Sequence, residues 1–205
     1  MEGAAAQHRE LDIEPEPPTW QPRATWVGVR GFTGGACFFF ISFIFAYFYL
    51  KSQDTNQDWK IGHVAPSVGL GAAVLGCVLI SALVLRMAVD NPATTVRAGM
   101  IALTLALLAV TFQIIQWGTI GFGPASGGYA SVYVGWTIFY TLAVLFCCYW
   151  IETQIATAWR RRSDPVARAQ ASDDLIQEGL KACSFFWNFM AFNALLMFLL
   201  LYALG

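Results

Sequence analysis

Residues 128–150 read GYASVYVGWTIFYTLAVLFCCYW, a run with no Asp, Glu, Lys or Arg. About 20 mainly apolar residues cross the hydrocarbon core of a bilayer as a helix, so this stretch is a complete transmembrane span. The charge-free run that contains it begins at residue 98, and residues 31–50, 64–85 and 182–205 are equally free of charge. A chain of 205 residues with 57% hydrophobic and only 12% charged positions lies far from soluble globular composition. The reading is an all-α, polytopic membrane protein: a five-transmembrane-helix bundle with spans at about 27–50, 64–87, 98–118, 129–151 and 182–204.

Working outward, residues 1–26 form a polar, acidic tail in which Pro15, Pro17, Pro18 and Pro22 are expected to forbid regular helix before Trp26. The tail has no apolar core, so no cleavable signal peptide is expected. Residues 27–205 form the membrane domain. Its first span is Phe-rich, and Gly31 and Gly35, four apart, could let another helix approach closely. Pro66 suits the first turn of span two, where Gly69, Gly71 and Gly76 give a slim surface. The short link from Asp90 to Thr95 makes spans two and three an antiparallel hairpin. Residues 118–127 are a Gly, Pro and Ser loop. After span four comes a basic cytoplasmic loop, 152–181, in which Ser163 or Asp164 could cap a short interfacial helix at Pro165. The last helix could start near Asp173 and run on to Ala203. No internal repeat is visible.

Positive loops stay cytoplasmic. With the N-terminus inside, Arg9, Arg23, Arg30, Arg86, Arg97, Arg160, Arg161, Arg162, Arg168 and Lys181 fall on the cytoplasmic side, leaving only Lys51 and Lys60 outside. The expected orientation is N-terminus cytoplasmic and C-terminus outside, in a bacterial cytoplasmic membrane.

The chemistry open to this chain is narrow. Buried haem and copper need His or Cys ligands, and the only histidines are His8 in the tail and His63 at a span boundary. The cysteines Cys37, Cys77, Cys147, Cys148 and Cys183 form no Cys-x-x-Cys pair and read as packing residues. Ser126 lacks the Gly two residues before it and the intramembrane His that a serine protease motif needs. No intramembrane carboxylate marks an ion path, and Glu152 falls at the cytoplasmic edge of span four. No catalytic, cofactor or metal site, and no nucleic-acid partner, is expected. Gln113, Gln116, Tyr140, Asn188 and Asn193, with Thr104, Thr111, Thr137 and Thr141, are candidates for interhelical hydrogen bonds. Trp26 and the cytoplasmic-end arginines Arg30, Arg86 and Arg97 are candidates for contact with phospholipid head groups.

Four segments, in order, resemble subunit III of the haem–copper terminal oxidases (the cytochrome c oxidase subunit 3 family) in its short five-helix form. They are Phe38 to Leu50, FFFISFIFAYFYL; the Gln116-Trp117 ending of span three; Gly128-Tyr129-Ala130-Ser131-Val132-Tyr133 with Thr137-Ile138-Phe139; and Phe185-Phe186-Trp187-Asn188-Phe189 leading to Leu199-Leu200-Leu201-Tyr202. Departures are systematic. Ala36 stands where the family usually has a first-helix glutamate, Tyr140 and Ala143 where it has histidines, Asn188 and Ala191 where it has a histidine and an aspartate, and Gln116 where a glutamate is frequent. The resemblance implies an accessory subunit without a redox centre, docked beside oxidase subunits I and II, which carry haem and copper, and holding phospholipid. The family's glutamate-linked proton coupling does not carry over. A nitric-oxide reductase accessory subunit is the nearest alternative. A small transporter or orphan scaffold is the alternative from another class.

Overall fold

In the computed structural model, which describes residues 20–55, 59–60, 65–91, 93–164 and 173–204, every regular element is helical. Helix α1 spans Trp20–Ser52, α2 Val68–Asp90, α3 Thr95–Thr119, α4 Gly128–Ser163 and α5 Asp173–Phe198, which continues as one π-helical turn over Leu199–Ala203. All five helices are long and apolar enough to cross a membrane. Helices suit that environment because each satisfies its own backbone hydrogen bonds without water.

Three helix ends differ from the sequence expectation. Helix α1 begins at Trp20, inside the expected tail, with Pro22 in its first turn. There an N–H has no intrahelical partner to lose, and proline's fixed φ already suits the helix. Pro66 is not in the first turn of α2. Ser67 is the N-cap, its Oγ accepting from the Leu70 N–H, so Pro66 precedes the cap. Helix α4 does not stop near residue 151 but runs unbroken to Ser163, and α5 begins at Asp173, so both flanks of the expected 152–181 loop are helical. The extension contains neither Gly nor Pro, and it buries Ile155 and Ala158. Arg160, Arg161 and Arg162 in its last turn oppose the negative helix end. Asp164, extended as a residue before proline prefers, terminates it as C-cap. The short helix expected after Pro165 lies outside the described residues.

Helices α2 and α3 form a hairpin held in one register. Thr95 Oγ1 donates to the Ala88 carbonyl at 3.0 Å, Ser81 Oγ to the Ala102 carbonyl at 2.7 Å, and Gln116 Nε2 to the Ser67 carbonyl at 3.0 Å. Steps along one helix match equal steps back along the other, so the pair does not slip over its whole length.

The helices close a ring in the order α1, α4, α3, α2, α5, and α4 also packs on α5 across it. Helices α1 and α5 run parallel, joined by Trp26 to Glu178 at one end and by Tyr47 to Leu204 at the other. Helix α1 lies antiparallel to α4 through Phe32 on Phe146, Phe39 on Phe139 and Phe43 stacked on Trp136. Its Gly31 and Gly35 face open space, so the close approach allowed there is not used within the chain. Gly69 and Gly76 are not closely approached either. The tight contacts fall at Gly71, at Gly179, where an added Cβ would lie 2.6 Å from Gln154 Oε1, and at Gly99, where it would lie 2.7 Å from Ile155.

Candidate functional site

The C-terminal ends of α1, α3 and α5 and the N-terminal ends of α2 and α4 meet at one end of the bundle, and there the chain gathers a tyrosine and glutamine cluster. The π turn places Tyr202 against Gly71, where an added Cβ would lie 2.5 Å from the ring. The Tyr202 hydroxyl donates to Gln116 Oε1 at 2.9 Å and lies 3.1 Å from the Tyr133 hydroxyl. Since the Tyr202 hydrogen is spent on Gln116, Tyr133 supplies the hydrogen between the two hydroxyls. A directed chain results: Tyr133 to Tyr202, Tyr202 to Gln116, and Gln116 to the Ser67 carbonyl.

A second layer covers the end of α5, whose last carbonyls have no intrahelical partner. Tyr129 donates its hydroxyl to the Leu201 carbonyl, and Tyr47 and Lys51 donate to that of Leu204 at 3.0 and 2.9 Å. Trp59, buried although it comes from the polar α1–α2 connection, sets its ring edge-on to Tyr47 and Tyr129 and accepts the Tyr129 N–H at its carbonyl. The Lys60 ammonium lies 4.7 Å from the Tyr129 ring centre. Burial, with repulsion from Lys51 second, pushes the Lys60 pKa below its ordinary value.

Deeper in the bundle, Tyr140 donates to the Met190 carbonyl at 3.2 Å and Trp117 Nε1 to Thr137 Oγ1 at 3.0 Å. Trp187 Nε1 donates to Ser81 Oγ at 3.1 Å, whose own hydrogen goes to Ala102, tying α5, α2 and α3 together. The other polar candidates do not link helices. Gln113 is buried near the Tyr133 hydroxyl without a hydrogen bond of ordinary geometry, and Asn193 is buried with Nδ2 unpartnered. Asn188 is exposed on the bundle surface. Thr104, Thr111 and Thr141 donate to carbonyls of their own helices, the usual alternative for a threonine one turn below. Ser126 closes a loop turn with Gly123.

At the opposite end, Trp26 Nε1 donates to Glu178 Oε2 at 2.6 Å, Lys181 pairs with Glu178 Oε1 at 2.7 Å, and Arg30 lies over the Trp26 ring. Arg86 and Arg97 are exposed at one level of the α2–α3 hairpin, apart from that group. Arg162 donates to the Ala93 carbonyl in the hairpin turn. At the same end, an apolar groove of about 320 Å³ runs between α1 and α4, lined by Gly28, Val29, Phe32, Phe146 and Trp150 among others. Of the residues the sequence reading singled out as site candidates, Gln116 alone belongs to the tyrosine cluster. Trp59 and Tyr47 went unremarked as contributors, and the signal for Trp59 was a lone tryptophan in an otherwise polar link.

This chemistry is hydrogen bonding and ring packing, joined at the two ends by ammonium and guanidinium contacts and an ion pair. Among the described residues, no three of His, Cys, Asp and Glu gather as a metal would require, and the five cysteines are free. No family model matches the chain, and no curated protein matches it.

Proposed function

We propose that this chain is a non-redox accessory subunit of the subunit III type in a haem–copper terminal oxidase of aerobic respiration. In this reading it sits in a bacterial cytoplasmic membrane with its N-terminus in the cytoplasm and its C-terminus outside. It stabilises subunit I beside subunit II, and haem and copper belong to those partners. The observation that carries the reading is a convergence. Segments resembling the family lie far apart in sequence, yet Tyr47, Gln116, Tyr129, Tyr133 and Tyr202 from them meet in one cluster. Such a cluster of neutral groups builds a rigid end on a bundle rather than a reaction centre. The apolar α1–α4 groove suits an acyl chain.

Gentle purification of the tagged chain from its native membrane tests this. Copurification of haem and copper with two larger subunits is the expected result. Haem without copper would move the assignment to a nitric-oxide reductase, and a chain that purifies alone would overturn the partner assignment.

A further inference from the structure

Near the middle of the bundle, α2, α3 and α4 enclose a small cavity of about 10 Å³, lined by Val74, Ala109, Val110, Gln113, Tyr140, Thr141 and Val144. A water needs roughly that much room and two to four polar partners, so the cavity accepts one water and no larger ligand. Its polar lining is specific. Gln113 is only 2% exposed, and neither Nε2 nor Oε1 makes a hydrogen bond of ordinary geometry, although its amide lies near the Tyr133 hydroxyl. Leaving an amide dry in such a place is costly. The hydroxyl hydrogens of Tyr140 and Thr141 are already spent on the carbonyls of Met190 and Thr137, so each oxygen keeps only accepting capacity.

We infer that the cavity is a binding site for a single structural water. Its oxygen accepts from Gln113 Nε2, and its two hydrogens go to the hydroxyl oxygens of Tyr140 and Thr141. The water gives one Gln113 N–H an acceptor and fills a lone pair on each of the two hydroxyls, while Gln113 Oε1 takes no hydrogen from it. An ion is unsuited, since no charged group lines the space. The site joins α3 to α4 at a depth where side chains alone leave Gln113 unbonded. It does not depend on the oxidase assignment.

The test is radiolytic labelling of the full chain in lipid nanodiscs, read by peptide mass spectrometry. Hydroxyl radicals from a held water mark the side chains beside it. Val144 on the cavity wall is expected to be hydroxylated well above Leu142 and Leu145, which are of similar reactivity and face outward. Gln113→Leu and, separately, Thr141→Val are expected to lose the Val144 label while the loop labels stay unchanged. Val144 labelled no more than Leu142 in the unaltered chain would overturn the inference whether or not the variants fold. So would a Val144 label that survives Gln113→Leu.

Discussion

Gly71 and Tyr202 share one space: a single added carbon on Gly71 would lie 2.5 Å from the tyrosine ring. The contact is with the ring carbons of a side chain that is tethered at both neighbours, Gln116 and Tyr133, so the ring cannot swing aside without breaking hydrogen bonds. Gly71→Ala is therefore expected to cost about 1–3 kcal/mol in reversible detergent unfolding, the range for overpacking a well-filled interior. Pairing it with Tyr202→Leu should recover part of that loss. Full additivity of the two changes would show that they do not compete for the same space.

Tyr202→Phe isolates the hydroxyl from the ring. It leaves Gln116 Oε1 without its donor and Tyr133 without its acceptor, and the expected loss is about 1 kcal/mol. Tyr49→Phe, on an exposed tyrosine of the same end of the molecule, should cost nothing measurable. Equal effects of the two substitutions would count against the directed chain.

Ser81 acts as a relay between Trp187 and Ala102. Ser81→Ala strands a buried indole N–H, with an expected loss of about 1 kcal/mol. In a double-mutant cycle with Trp187→Phe, the two losses should fall short of their sum by a similar amount, because the second change removes the group the first one stranded. A cycle that closes with no coupling would deny the contact.

Lys60 gives the fold a pH dependence of known sign. Folding buries its ammonium and brings Lys51 near, so its folded pKa lies below the ordinary 10.5 that it keeps when unfolded. Between those two values the unfolded chain binds more protons, and raising the pH stabilises the fold. The unfolding midpoint should climb as pH approaches 10.5 from below, and Lys60→Gln should flatten that climb. An unchanged slope in the variant would assign the dependence elsewhere.

The number of apolar helices and the hairpin of α2 and α3 could be read from charge-free runs and one short link, because lipid leaves a chain few other options. Helix ends were less legible. Pro22 and Pro66 have the same chemistry but opposite relations to a helix start, and only the capping bond of Ser67 distinguishes them. The cluster was the least legible part. Tyr47, Trp59, Tyr129, Tyr133 and Tyr202 each look like interfacial aromatics when read singly, and their meeting depends on how α1 and α5 pair. That Asn188 is exposed on the bundle surface has the same root, since rotation of a span about its axis is invisible when nearly every residue is apolar.

The π turn at Leu199–Ala203 makes the register of the last helix a counting device. Five residues fill a turn that an α-helix completes with fewer, so the segment carries a surplus residue whose removal would restore ordinary winding. Deleting Leu200 would let the segment rewind as ordinary α-helix, because three α-helical residues cover roughly the same arc and rise as four π-helical ones. Tyr202 would then stay near Gly71, and the carbonyls of Leu201 and Leu204 near Tyr129 and Tyr47. The π turn is thus the one place in the last helix where a residue can be lost without turning the side chains beyond it, whereas a deletion in the regular part of α5 would rotate all of them by about 100°.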